Sequence, residues 1–197
     1  MESSNLTDRL PLTGARLHLT ALESVDLPVL LPFFQDMSSL AYYIPTTARP
    51  LNAEQLEKVL TDWNDGSESF VFAIRKEDQL VGLVNLDGLD WPNSHAEIGI
   101  ALTSKMSRGQ GFAAEALELL IDFAFNELGL HRIWARIIDG NDPSLKLFAR
   151  LGFKLEGRMS GHVRRRGQYR DMLIFGLLQS RDDEQTSLAD MPAELQD

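Results

Sequence analysis

The sequence predicts an α/β domain: a mixed sheet with helices on both faces. Three observations carry this. Short apolar stretches of period two alternate with amphipathic stretches of period 3.6, a glycine-bearing turn leads from one such strand into a long helix, and 197 residues without an internal repeat suffice for one substantial core. Along the chain the order reads strand, two helices, three strands, helix, strand, helix, two strands, giving about seven strands.

"ARLHLTAL" (15–22) alternates, with Leu17 and Leu19 on one side, and opens the domain after a segment, 1–14, expected to be flexible. "DLPVLLPFFQD" (26–36) reads as a short helix with Asp26 near its cap. In "NAEQLEKVLTDW" Asn52 and Gln55 make a capping pair, while Leu56, Val59, Leu60 and Trp63 form an apolar stripe. "SFVFAIR" and "LVGLVNL" read as a hairpin about the polar turn "KEDQ". In "AEIGIAL" (96–102) Ala96, Ile98, Ile100 and Leu102 share one face, and Glu97, Gly99 and Ala101 the other.

The next helix carries Ala113, Ala116, Leu117, Leu120, Ile121, Ala124 and Leu128 at three- and four-residue spacing, with Gly129 suited to its C-terminal cap. "HRIWARII" (131–138) is a strand. "NDPSLKLFARLGF" is a helix capped at Asn141 or Asp142 and stopped at Gly152, and "YRDMLIFGLL" (169–178) is a last strand paired with one around 154–159. The domain is thus expected over 15–180. Residues 181–197 hold six acids against one arginine and few apolar groups, so that tail is expected to be disordered.

Charge and composition exclude several functions. The net charge of −10 argues against nucleic acid as a partner, and half of it sits in the tail. No cysteine is present and the four histidines lack ligand spacing, so no metal site is expected. No run reaches the ~18 apolar residues of a membrane span, and "MESSNLTDRL" lacks the regions of a signal peptide. A cytoplasmic protein without a membrane partner is expected.

The stretch "SRGQGFA" (107–113) holds the chemical signal. A strand that passes through glycines into a helix presents unpaired N–H groups and the positive end of the helix dipole, and small residues let a phosphate approach them. The turn is neither a Walker loop nor GxGxxG in frame, but fits [QR]xxGx[GA] with Arg108, Gly111 and Ala113. It resembles motif A of the GCN5-related N-acetyltransferase (GNAT) superfamily. "NDPSLKLFARLGFKLEG" (141–157) resembles the NxxSxxxxxxxGFxxEG signature of the RimJ/RimL-like branch, and "GQYRDMLIFGLL" that branch's closing strand; together with "LVGLVNL" and "AEIGIAL", the resemblance covers roughly residues 15–178.

The resemblance implies a mostly antiparallel sheet splayed between its fourth and fifth strands, with acetyl-CoA as co-substrate. It implies that Ile100, Ala101 and Leu102 pair with the pantetheine arm, that Arg108, Gly109, Gln110, Gly111, Phe112 and Ala113 cradle the diphosphate, and that Asn141, Ser144 and Phe148 lie along the coenzyme. Asn141 also reads as a plain cap, and Ser144 as a helix hydroxyl. Phe148 stands where relatives commonly carry the tyrosine that protonates the thiolate, which leaves that role to Ser144 or water. Glu97, beside the expected acetyl site, is either the base that takes the amine proton or a solvent-facing strand residue. Glu156, in the matching GFxxEG segment, is either a site residue or a partner for arginines, with structure favoured, and Asp171 either has a partner or faces the cleft. "HVRRRGQYR" is open to coenzyme phosphate, to an acidic substrate or to plain solvation.

The acceptor implied is an amine: a protein or peptide N-terminus, or a small amine such as a polyamine. A non-catalytic acetyl-CoA binder is the third reading, and a homodimer is an allowed assembly.

Overall fold

The computed structural model describes residues 12–44, 49–103, 107 and 109–179. An eight-stranded sheet runs through the domain. Its strands are β1 (Leu12–Thr13), β2 (His18–Ala21), β3 (Phe70–Lys76), β4 (Gln79–Asp90), β5 (His95–Leu102), β6 (Arg132–Ile138), β7 (Lys154–Arg165) and β8 (Gln168–Leu178), ordered β1-β2-β3-β4-β5-β6-β8-β7. Every pairing is antiparallel except β5 with β6. The expected mixed, mostly antiparallel sheet is present, with one short strand added ahead of residue 15. The helices are α1 (Leu27–Gln35), α2 (Met37–Tyr43), α3 (Ala53–Trp63), α4 (Phe112–Asp122) and α5 (Asp142–Arg150). Among the described residues, no helix is long and apolar enough to cross a membrane.

Alternation along the strands sorts two cores. Val84, Leu86, Ile98, Ile133 and Ala135 face α4, where Ala116, Leu117 and Leu120 are buried, and Phe148 of α5 joins them. Val71, Leu83 and Ala101 point the other way, under Leu30, Phe33 and Phe34 of α1, Leu40 of α2, and Leu56 and Leu60 of α3. Helices therefore cover both faces, because both faces are apolar.

Local signals explain most helix ends. The Asn52–Gln55 box forms as expected, at 2.8 and 3.1 Å. Asp26 does not cap α1: its buried carboxylate accepts instead from the Glu23 amide and from Arg75. Helix α2 was not expected. Asp36 ends α1 and at once caps α2, accepting from the Ser38 amide at 3.0 Å, so two helices meet within one residue. Helix α4 runs on as a π-helical turn, Phe123–Glu127, before Gly129.

Glu115 of α4 fastens the residues that lead into β2 to that helix. Its carboxylate accepts from the Arg16 and Leu17 amides at 2.6 and 3.1 Å and from the Arg16 guanidinium at 2.8 Å. Burial pushes its pKa up, but the donors of Arg16 and Leu17 outweigh this and hold it below the ordinary value. A depressed folded pKa stabilises fully above the ordinary carboxylate range and loses that stabilisation as pH falls through the folded value. Glu115→Gln is therefore expected to cost about 1–3 kcal/mol at neutral pH and little in acid. Urea denaturation at both pH values checks this, and an equal loss in acid would assign the effect to packing.

Candidate active site

The ladder between β5 and β6 begins at His95↔Arg132 and ends at Glu97↔Trp134. Beyond Glu97 the strands part, while β4 stays paired with β5 as far as Gly82↔Leu102. One edge of Ile98–Leu102 is thus held and the other is open. In the eight-strand numbering this is the splay expected between the fourth and fifth strands.

The glycine turn lies at the end of the open edge. Gly109 and Gly111 hold φ of +73° and +83°, in the left-handed region that suits glycine, and Gly111 is the N-cap of α4 without a side-chain cap bond. The first amides of α4 have no intrahelical acceptor, as an anion site requires, and their residues line the cleft described below. Arg108 lies outside the described residues. Sequence reasoning missed Arg16, which donates to the Gln110 carbonyl at 2.8 Å and sits 5.3 Å over the Phe112 ring. It braces the turn through that carbonyl.

A cleft of about 690 Å³ runs from this turn along β5. Ile100, Ala101, Leu102, Gly109, Gly111, Phe112 and Ala113 line it, with Asn141 and Ser144 of the α5 start and Ser38, Ser39 and Tyr42 of α2 on the opposite wall. Gln110 is held beside it through its carbonyl. Lys146 and Arg150, one turn apart on α5, add positive charge to the lining. Asn141 is the N-cap of α5 but its side chain makes no cap bond, so its amide is left to the cleft.

A smaller cavity of about 70 Å³ lies between the parted strands, lined by Glu97, Gly99, Arg136, Ile138, Phe148 and Met172. It shares Tyr42, Tyr43, Ile100, Asn141 and Ser144 with the cleft, so the two are ends of one passage. Phe148 is buried, edge-on to Phe153 at 5.0 Å, and offers only an apolar wall. Three hydroxyl-bearing residues are shared by the two, Ser144 and the unforeseen Tyr42 and Tyr43, and the Tyr43 hydroxyl donates to Asn85 Oδ1 at 3.5 Å. Burial, and then the charge of Asp87, push the Tyr43 phenol up, which makes it a hydrogen-bond donor that keeps its proton.

Glu97 faces the cavity in a fork with Arg136: Nε to Oε1 at 2.9 Å and Nη2 to Oε2 at 2.6 Å. The side chains are 16% and 32% exposed, so the pair is largely shielded. The bonds to Glu97 raise the Arg136 pKa against its burial, and the Glu97 and Asp87 charges add to the effect. Asp87 lies opposite Glu97 across the β4–β5 ladder and accepts from Ser69 at 2.6 Å.

The other acids are placed elsewhere. Glu156 pairs with Arg132, which depresses its pKa, and its carboxylate lies over Gly176, where any Cβ would displace it. Asp171 accepts from the Gly161 amide at 2.7 Å and from Arg158; the amide first and then the guanidinium hold it below the carboxylate range.

A strand open on one edge, with a glycine turn at its end and a passage beside it, can hold an extended ligand that carries phosphate. A family model described as "Acetyltransferase (GNAT) domain" matches residues 16–154, and the chain belongs to this family. The uncharacterized N-acetyltransferase p20 of Bacillus licheniformis is 31% identical over 166 residues, covering 83% of this chain and 93% of its own. The putative ribosomal N-acetyltransferase YdaF of Bacillus subtilis is 28% identical over 151 residues, 73% of this chain and 80% of its own, in keeping with the RimJ/RimL-like signature. A spermidine N(1)-acetyltransferase of Vibrio cholerae is 25% identical over 169 residues, 85% of this chain and 96% of its own. A crystal structure of spermidine N-acetyltransferase from that species, in complex with CoA and spermine, shares the fold with a TM-score of 0.77 at 24% identity, over 84% of this chain and 97% of that one.

Proposed function

We propose that the protein transfers the acetyl group of acetyl-CoA to the N-terminal α-amine of a peptide or protein, by direct attack within a ternary complex. The observation that carries this reading is the Glu97–Arg136 fork. A carboxylate whose two oxygens both accept from one guanidinium is held in place and cannot turn toward an incoming amine without breaking one of those bonds. An alkyl amine of pKa near ~10.4 costs about 4.6 kcal/mol to deprotonate at pH 7, whereas an α-amine near ~7.8 costs about 1 kcal/mol. A site whose cavity carboxylate is so engaged suits the acceptor that needs less help.

In this reading the amides of Gly109–Ala113 hold the diphosphate, with Lys146 and Arg150 adding positive charge, and the open edge of Ile100–Leu102 pairs with the pantetheine arm. Bound there, acetyl-CoA supplies a thioester carbonyl as electrophile and a thiolate as leaving group. An amide on the open β5 edge polarises that carbonyl, while Ser144 and Tyr43 donate hydrogen bonds at the junction of cleft and cavity. The amine enters through the smaller cavity, between Glu97 and Met172.

Similarity to the spermidine enzyme favours a second reading, a polyamine acceptor. Thiol release from acetyl-CoA, followed with an alanine-initiated peptide and with spermidine at pH 7, separates the two. The peptide is expected to turn over at least tenfold faster; the reverse order would replace this reading with the second. In the same assay Ser144→Ala is expected to lower kcat several-fold while coenzyme affinity holds. Equal loss in both would make Ser144 a binding residue.

A further inference from the structure

We infer that the β7–β8 hairpin is a recognition element for acidic residues that follow the acceptor's N-terminal amine, so that the favoured substrate is an acidic protein or peptide N-terminus. The inference rests on the α-amine reading above and narrows it. Residues 158–170 hold five arginines and no acid, in a chain whose net charge is −10. The turn that presents them is tight: Arg166 and Gly167 both have positive φ, +48° and +81°, the geometry of a two-residue type I′ hairpin.

The hairpin is fixed at the acceptor entrance. Arg165 reaches across to α2, donating from Nε to the Ala41 carbonyl and from Nη2 to the Ile44 carbonyl, both at 2.6 Å. Those carbonyls flank Tyr42 and Tyr43, which line the passage. Val163, paired with Arg170 across the strands, packs on Ile138 and Met172, which line the inner cavity. Met172 below the hairpin and Tyr42 and Tyr43 of α2 line the same cavity, and Arg165 ties the hairpin to α2 beside it.

The remaining arginines at the tip are not spent on structure. Arg158 answers Asp171 and Asp139, but among the described residues Arg164, Arg166 and Arg170 have no carboxylate partner. All three are exposed. Among the described residues the Arg170 side chain makes one 3.4 Å bond, to Gln168, and its Nη1 lies 3.5 Å from where a Cβ on Gly140 would stand, one residue from Asn141 of the passage. Arg164 stacks 5.9 Å over Tyr169, itself 70% exposed, an aromatic and cationic pair of the kind that anchors a bound chain. A free amine entering the cavity would trail its next residues past these side chains. Carboxylates there would be attracted, and a polycation would be repelled.

The test uses the full chain and three peptides of equal length that share an N-terminal alanine and carry acidic, neutral or basic residues from the third position on. The acidic peptide is expected to exceed the basic one about tenfold or more in kcat/KM at low ionic strength, with the advantage shrinking at high salt. The triple variant Arg164→Glu, Arg166→Glu, Arg170→Glu is expected to reverse the order with unchanged affinity for CoA, measured by calorimetry. Replacing the same three by glutamine should level the peptides and guards against misfolding of the reversed variant. If the wild type acetylates all three alike, the inference falls and the α-amine reading stands. Weakened CoA binding in the folded glutamine variant would assign the patch to coenzyme phosphate and overturn the inference. If no peptide is acetylated while spermidine is, both fall.

Discussion

Gly111→Val is expected to weaken CoA binding at least a hundredfold while the protein still folds. Two effects combine at this position. With φ at +83°, a β-branched residue is strained by about 1–3 kcal/mol, which for a domain of this size lowers the melting temperature by about 5 °C. The added Cβ would also stand 3.1 Å from Nη2 of Arg16, the side chain that braces the Gln110 carbonyl, so its methyl groups must push the brace or project into the anion site. A phosphate held by backbone amides cannot retreat without losing them. Gly66→Val is the control: φ is +74°, nothing lies within 4 Å of the added Cβ, and the residue does not line the cleft. It should lose similar stability and bind coenzyme normally. Calorimetric titration of both variants with CoA decides the matter, and a folded Gly111→Val with wild-type affinity would remove the phosphate role from this turn.

Features with a local cause were legible from the sequence. Period-two alternation through 96–102 marked β5 and its two faces, the Asn52–Gln55 spacing marked a helix start that forms as a box, and the glycines of 107–113 marked the turn into α4. Features that depend on register were not. Arg16 and Glu115 are 99 residues apart, Glu97 and Arg136 39 apart, and Arg165 and Ala41 124 apart. Each pair meets only because the strand order and the helices set over the sheet bring those segments together, and no spacing in the chain encodes such a contact. Helix α2 was missed for another reason: seven residues are too few for a periodic stripe to stand out, and its Asp36 cap coincides with the end of α1. Its absence from the sequence reading hid Tyr43, and with it a hydroxyl that partly offsets the phenylalanine at 148. Asn141 was legible as a cap by position, yet its backbone, at ψ 62°, is not extended as a capping asparagine's is, and the side chain goes elsewhere.

Glu97→Gln is expected to cut kcat/KM on a peptide acceptor about tenfold at every pH from 6 to 9, without moving the profile. The sequence leaves Glu97 open as the base or as a plain strand residue; under the proposed α-amine reading, its part is to hold the fork with Arg136. Replacing the carboxylate by an amide turns one acceptor oxygen into a donor that faces the guanidinium, so one of the two bonds is lost and the cavity wall shifts. A partly shielded pair broken on one side costs roughly 1–2 kcal/mol, which is the tenfold. The acid limb of the profile, by contrast, belongs to the substrate: the rate rises with pH as the α-amine loses its proton near ~7.8 and then levels, in wild type and variant alike. Arg136→Gln breaks the same pair from the other side and should give a similar uniform loss if the fork is what matters. Were Glu97 the base, Glu97→Gln would be worst at low pH and recover as free amine accumulates, while Arg136→Gln would leave the base in place and retain most activity. The pH–rate profiles of both variants on one peptide, with CoA affinity measured alongside, separate these outcomes. A deficit that shrinks steadily toward pH 9 in Glu97→Gln alone would return the proton to Glu97 and remove the reason to prefer an α-amine over an alkyl amine as the acceptor.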